Sequence, residues 1–360
     1  MRVTPLTMGE PAPWFVCPTG TRQNFHFDTV GGRYLVLAFL GSVADAAAAR
    51  LIEDVTSRRS LFDDVKVSFF GVSVDPEDEQ RQRLADSVPG VRYFRDFDRS
   101  VSALYGAVQA DGAYRPMTYV LDPAMRVLAV LPLQPLSSGA RETSLFELLD
   151  RLPPIPPPYV APVQAPVLVL PRIFERKLCR ALIDHYDSNG GRESGFMRDV
   201  NGKTVEIRDP SFKRRRDCTV EDEALRNACM VRIHDRLIPQ LRKAFQFGAT
   251  RMERYIVSCY DAKEQGHFQA HRDNTTMGTA HRRFAVSLFL NSGEYDGGYL
   301  CFPEFGSALY SAPAGGAVVF SCSLLHEATT VTRGRRYMFL PFLYDEAAKR
   351  IRDENEHYLE

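Results

Sequence analysis

The 360-residue chain has no apolar stretch near the ~20 residues needed to cross a bilayer, and its opening residues, MRVTPLTMGEPAPW, lack the apolar core of a secretory signal. Neither membrane spanning nor secretion is expected. There is no surplus of either charge, with 45 basic against 45 acidic residues, so no global field recruits nucleic acid or an anionic membrane. There is no CxxC pair, and the seven cysteines (Cys17, Cys179, Cys218, Cys229, Cys259, Cys301, Cys322) are scattered. That argues against a disulfide framework or a structural zinc site and suits reduced thiols in a cytoplasm. No internal repeat shows on self-comparison. The one basic run, KRRRD at 213–217, is read as a solvated face or an internally paired arginine rather than a nucleic-acid contact.

What the chain does have is proline in one place. RLPPIPPPYVAPVQAP, 151–166, is short of backbone donors and favours an extended, semi-rigid linker. Before it, in 1–150, YLVLAFLG and VKVSFFGVSVD read as buried strands, with a helical stretch between them and a hairpin, MTYVLDP then RVLAVLP, after them. This predicts a compact α/β domain. After it, in 167–345, come two helical stretches, 172–190 and 220–245. Short strands separated by Gly, Asn and Pro turns then suggest a sandwich or barrel. The charged segment 346–360 reads as a terminal helix or tail.

The spacing His-x-Asp occurs three times, at His26–Asp28, His185–Asp187 and His271–Asp273. Residues i and i+2 share a face on a strand, so such a pair can chelate one ion there; on a helix they diverge. His185 and Asp187 lie in a helical pattern, and the domain holding His26 and Asp28 has no further histidine to complete a site. His271 and Asp273 open the β-rich region, His326 follows the strand GGAVVFSC, and Arg336 follows ten residues later in TRGRRYMF. Two histidines and one carboxylate on one face of an ion form the facial triad of non-haem Fe(II) oxygenases. An arginine beside them can grip a distal carboxylate with paired hydrogen bonds.

Residues 166–345 resemble the prolyl 4-hydroxylase-like branch of the 2-oxoglutarate/Fe(II) dioxygenases, on YDAKEQGHFQAHRDN, LNSGEYDGGYLCFPEFG and LLHEATTVTRGRRYMF. The resemblance implies a double-stranded β-helix, or jelly roll, with flanking helices. It implies Fe(II) held by His271, Asp273 and His326, with Arg336 on the C5 carboxylate of 2-oxoglutarate. Tyr260 matches a tyrosine that hydrogen-bonds this cosubstrate in the family; a buried tyrosine with a structural partner is the alternative. Strand alternation turns Arg335 to the opposite face, and Phe342 would supply an aromatic on the Arg336 strand. Gly297 and Gly298 read as a tight turn. The implied reaction consumes 2-oxoglutarate and O2, with ascorbate an accessory option, releases succinate and CO2, and hydroxylates an unactivated C–H bond. Asp273 stands where related halogenating enzymes carry a small residue, which points to hydroxylation.

Residues 1–135 resemble the thioredoxin-like peroxiredoxin fold, on MGEPAPWFVCPTG, YLVLAFLG, FFGVSVDPEDEQ and RPMTYVLDP. The family's reactive cysteine follows the YLVLAFLG strand; here the segment is SVADAAAAR, without cysteine. A scaffold or docking module is therefore expected in place of a peroxidase. Two further readings stand beside the hydroxylase: a non-catalytic metal-binding or oxygen/2-oxoglutarate-sensing protein, and a thiol redox enzyme, which the missing cysteine disfavours. The substrate, a protein or peptide side chain such as peptidyl proline or a small molecule, and the oligomeric state are open.

Overall fold

A computed structural model describes residues 4–133 and 144–359. Residues 1–3, 134–143 and 360, which belong to the expected first domain and the C-terminal tail, lie outside the described residues. The chain divides into two compact units, Met1–Tyr159 and Val160–Glu360. The division falls within the proline-dense stretch.

In the first unit five strands form one sheet, in the order Val91–Arg95, Val67–Ser73, Tyr34–Gly41, Met117–Leu121, Val127–Pro132. The first three run parallel and the last two antiparallel. Every residue of Tyr34–Gly41 is buried because both faces of the sheet are covered. Leu35, Leu37 and Phe39 enter one core with Phe70 and Phe94, whose rings stack at 5.3 Å. Val36, Ala38 and Leu40 enter the other, against Ala48, Leu51 and Val55 of the helix Ala46–Ser57. This is a thioredoxin-like α/β fold.

The loop after Gly41 is organised around a carboxylate. Asp78 is fully buried and accepts hydrogen bonds from the Val43 amide (2.8 Å), Ser73 Oγ (2.7 Å) and Arg83 (3.1 Å), while Ser42 Oγ donates to Asp75 (2.7 Å). Cys17 lies elsewhere, in the strand pair Val16–Cys17 and Phe25–His26. Burial, and then the nearby Asp96, push its thiol up to about 12. A thiol so placed is inert at neutral pH. Iodoacetamide at pH 8 is expected to label Cys17 only after unfolding, and the protein to consume hydrogen peroxide no faster than its Cys17→Ser variant. Rapid native-state labelling, or peroxide turnover lost in the variant, would contradict this.

In the second unit one large antiparallel sheet runs Arg251–Glu253, Phe342–Tyr344, Phe284–Phe289, Arg335–Phe339, Ile256–Asp261, Arg216–Thr219, Arg192–Glu193, and Ala317–Ser321 also pairs with Phe284–Phe289. A smaller sheet runs Lys213–Arg214, His267–His271, His326–Ala328, Leu300–Cys301, Leu309–Tyr310. Strand alternation sorts the large sheet into two faces. Val286, Leu288, Val257 and Phe339 face the helices, packing on Leu182, Ile183 and Cys229. Ala285, Phe289, Phe320, Tyr260 and Met338 face inward to a core shared with Phe268 and Leu300 of the smaller sheet. The unit is a jelly roll with helices outside one sheet.

Four features differ from the sequence reading. The helical stretch 220–245 is Glu223–Arg232 and Ile238–Phe245 joined by a π-helical turn, Ile233–Leu237. Pro239 lacks the amide a continuous ladder would use there. A hairpin, Phe196–Val200 with Lys203–Ile207, stands in a region given no element. Its turn is Asn201-Gly202, both at positive φ (52° and 78°), the signature of a tight two-residue hairpin connection. Asp273 is not on a strand: the strand ends at His271, and Asp273 lies in the turn beyond. Phe342 opens a separate strand, because Leu340-Pro341 interrupts the ladder after Phe339 and proline has no amide to donate.

Candidate metal centre

Two neighbouring strands of the smaller sheet set the histidines. His271 and His326 are direct antiparallel partners, and their rings lie 4.3 Å apart between centroids. Each ring is fixed the same way: Nδ1 of His271 donates to the Gln269 carbonyl (2.7 Å) and Nδ1 of His326 to the Leu324 carbonyl (3.0 Å). A carbonyl can only accept, so both Nδ1 atoms carry hydrogen and both Nε2 lone pairs are free to ligate. Phe268 stacks on His271 at 3.5 Å, and Phe320 lies 4.5 Å from His326.

The third group comes from the turn. The Asp273 amide donates to the Cys322 carbonyl (3.0 Å), which places the carboxylate between the imidazoles. Its oxygens lie 3.6 Å from His271 Nε2 and 3.4 Å from His326 Nε2. These separations exceed good hydrogen bonds but suit ligands on adjacent positions of one ion, which at bond lengths of about 2.1 Å lie roughly 3.0–3.4 Å apart. All three ligand atoms lie within 4.8 Å of one another. Burial pushes the Asp273 carboxyl upward, but the positive charge that His326 and His271 carry when protonated, with that of Arg282, holds it well below the usual carboxylate range. Burial drives His326 down to about 4, so its imidazole is neutral at pH 7 and available to a metal.

The other His-x-Asp pairs do not assemble a site. His26 and Asp28 are exposed and 3.7 Å apart. His185 and Asp187 lie on the helix Arg176–Asn189 and diverge: His185 bonds the Thr219 carbonyl, whereas Asp187 accepts from the Tyr337 hydroxyl.

Arg336 is 1% exposed, and its Nε is buried without a hydrogen-bond partner. The guanidinium lies over the rings of Tyr260 (4.9 Å) and Phe289 (5.3 Å) and lines the same cavity, of about 700 Å³, as the triad. Tyr260 is its direct cross-strand partner. The Tyr260 hydroxyl accepts a long contact from Arg215 (3.4 Å), so it is held between two arginines at the cavity wall. Arg335 turns outward to Asp261 (2.9 Å). A buried, charged group with open donors aimed into a cavity fits a carboxylate ligand. The donor set of the triad fits Fe(II).

Gly298 does more than turn the chain. Its φ is +63°, and a Cβ there would meet Arg336 Cδ at 2.5 Å, so this bare backbone is the floor under the arginine stem. Lys213, Arg215 and Asp217 of the basic run also line the cavity, with Arg215 paired internally to Asp217 as one reading of the run expected, and so do Arg254 and Phe268, which the sequence did not single out. The run KRRRD contained the signal, since alternate members of an extended segment share a face.

A helix-backed jelly roll presenting this triad and a buried arginine is the architecture of an iron-dependent oxygenase domain. Residues 255–344 match the 2OG-Fe(II) oxygenase superfamily and residues 8–130 the AhpC/TSA family. The chain therefore carries an AhpC/TSA domain at its N-terminus and a 2OG-Fe(II) oxygenase domain at its C-terminus. A PKHD-type hydroxylase of Synechococcus sp. (strain JA-2-3B'a(2-13)) is 35% identical over 88 residues, which cover 23% of this chain and 38% of that relative's length. Among solved structures, a Pseudomonas putida prolyl-4-hydroxylase matches with a TM-score of 0.38 and 17% identity, over 51% of this chain and 94% of that one. Mycobacterium tuberculosis AhpC matches with a TM-score of 0.32 and 19% identity, over 41% of this chain and 90% of that one.

Two outcomes follow from the geometry. The protein is expected to bind one divalent ion per chain in a Mn(II) titration, and Asp273→Ala to lose that affinity by roughly 100-fold or more, as removal of one of three ligands should. Gly298→Ala is expected to lose about 1–2 kcal/mol in a denaturant titration, from the left-handed backbone alone. An alanine variant as stable as the parent would mean that Arg336 and the turn adapt freely.

Proposed function

We propose that the protein is an Fe(II)/2-oxoglutarate-dependent hydroxylase, with peptide side chains the first substrates to test and the N-terminal domain a scaffold or docking module. The observation that carries this is the pairing, in one cavity, of the triad with the unpartnered, buried Arg336. His271, Asp273 and His326 would hold the ion by one face and leave its other face to ligands. Arg336 would take the C5 carboxylate of 2-oxoglutarate through its open donors, with Tyr260 bordering the same carboxylate. When bound, Fe(II) and 2-oxoglutarate supply oxygen activation coupled to decarboxylation, which yields succinate, CO2 and a hydroxylated carbon. The chain's share is position and shielding: Phe268 and Phe320 fix the imidazoles and keep water from their flanks. The retained Asp273 carboxylate fills the position that halide would need, which supports hydroxylation as the outcome.

Succinate formation from 2-oxoglutarate under Fe(II) and O2 tests this directly. His271→Ala is expected to abolish it. Arg336→Met should raise the 2-oxoglutarate KM by roughly 30-fold, the equivalent of about 2 kcal/mol for a lost charge-assisted contact. A folded protein with no iron-dependent turnover, coupled or uncoupled, would move the reading to a non-catalytic metal-binding or sensing protein.

A further inference from the structure

The basic run at 213–217 reaches the cavity where the extended chain crosses from Lys213–Arg214 of the smaller sheet to Arg216–Thr219 of the large one. Lys213, Arg215 and Asp217 turn inward: Lys213 is 5% and Arg215 6% exposed. Arg214 and Arg216 turn outward to the Glu264 carbonyl and carboxylate. Arg254, held at φ +67°, comes in beside them. Two of these three cations share one carboxylate. Asp217 Oδ2 accepts from Arg215 (2.7 Å) and Arg254 (3.4 Å), and its Oδ1 accepts from Ser258 Oγ (2.6 Å). Lys213 donates to Ser194 Oγ (2.8 Å) and the Gly195 carbonyl, neither of which carries charge. The Arg215 Nε is buried without a partner. Positive charge therefore exceeds negative among these side chains, a costly arrangement when buried unless a counter-ion enters. The local electrostatics agree: burial, and then Arg215, hold the Lys213 ammonium well below its ordinary value.

The expected cosubstrate does not supply that counter-ion. On the hydroxylase reading, the ion's two charges and that of Arg336 are balanced by Asp273 and the two carboxylates of 2-oxoglutarate. The metal half is then neutral, and the excess at Lys213, Arg215 and Arg254 remains. Its location is also specific. Lys213 Nζ lies 4.8 Å and the Arg215 guanidinium 5.9 Å from the ring of Phe268, which stacks on the His271 imidazole. An anion held there stands one aromatic ring away from a metal ligand.

We infer that Lys213, Arg215 and Arg254 form a second carboxylate subsite in the cavity, and that the hydroxylated substrate carries a carboxylate close to its reacting carbon. This rests on the hydroxylase reading for the word substrate, but the subsite can be tested without it. The test is calorimetric titration of the full-length chain, loaded with Fe(II) and saturating 2-oxoglutarate under nitrogen, with acetate and with its neutral isostere acetamide. Acetate is expected to bind at least tenfold more tightly than acetamide. Lys213→Met and Arg254→Met, each checked for a native circular dichroism spectrum, should weaken acetate at least tenfold, while the outward-facing control Arg214→Met should stay within twofold. Acetate binding no tighter than acetamide, or unchanged in both inward variants, overturns the subsite. The capped peptide acetyl-Ala-Glu-Ala-amide distinguishes the source of the carboxylate: binding of both supports an acidic residue in a peptide, and binding of acetate alone supports a free organic acid. Should Fe(II) and 2-oxoglutarate fail to load in their own titration, the hydroxylase reading falls, and acetate titration of the metal-free chain and the same variants still decides the subsite.

Discussion

His271 stands directly opposite His326, and Tyr260 directly opposite Arg336, each pair on neighbouring antiparallel strands. Because side chains alternate along a strand, a slip of one residue in either pairing would turn the inward member outward. Register is therefore the constraint on which the site depends. For the Tyr260–Arg336 pair it is held by burial on both sides of the large sheet: Val257, Cys259, Tyr337 and Phe339 are locked against the helices. Tyr260, Met338 and Arg336 have only the inner face left. The same alternation that builds the core aims the chemistry.

The inner face is electrostatically expensive. Asp273, His326 and Arg336 are all buried or nearly so, and Arg336 has aromatic faces rather than a carboxylate beside it. Such groups destabilise the fold on their own, and the neighbouring apolar core must offset them. What the arrangement achieves is preorganisation. The imidazoles are oriented by backbone carbonyls, the carboxylate by a backbone amide, and the arginine stem by the bare backbone of Gly298. Few of these groups need to move when a charged ligand arrives, so ligand binding releases cost that folding has already accepted.

Much of this was legible in the sequence, and the remainder failed for identifiable reasons. The order His271, Asp273, His326, Arg336 is a pattern of residue types, and pattern survives without coordinates. The reason given for Asp273 did not: a strand would have put it beside His271, whereas a turn does so through the Cys322 carbonyl. The hairpin Phe196–Ile207 escaped because its strands are polar and largely exposed, so they lack the apolar alternation that marks a half-buried strand. Its Asn201-Gly202 turn was the only local cue. In the run at 213–217 the internally paired arginine is Arg215, on Asp217, and the part that a block of charge conceals is parity. Odd-numbered members are buried in the cavity and even-numbered ones face Glu264 and solvent.

The first unit makes the complementary case. Its sheet order, its two cores and the stacked Phe70 and Phe94 do not depend on a reactive thiol. The loop where such a thiol would stand is closed by Asp78, whose hydrogen bonds to Val43, Ser73 and Arg83 fix the turn into the helix Ala46–Ser57. A buried carboxylate at that point also opposes thiolate chemistry, since a second negative charge nearby would raise a thiol's pKa. Restoring a cysteine in the segment after Gly41 would therefore not restore a reactive site by itself. The stability of this unit comes from apolar packing in its two cores, which needs no reactive thiol.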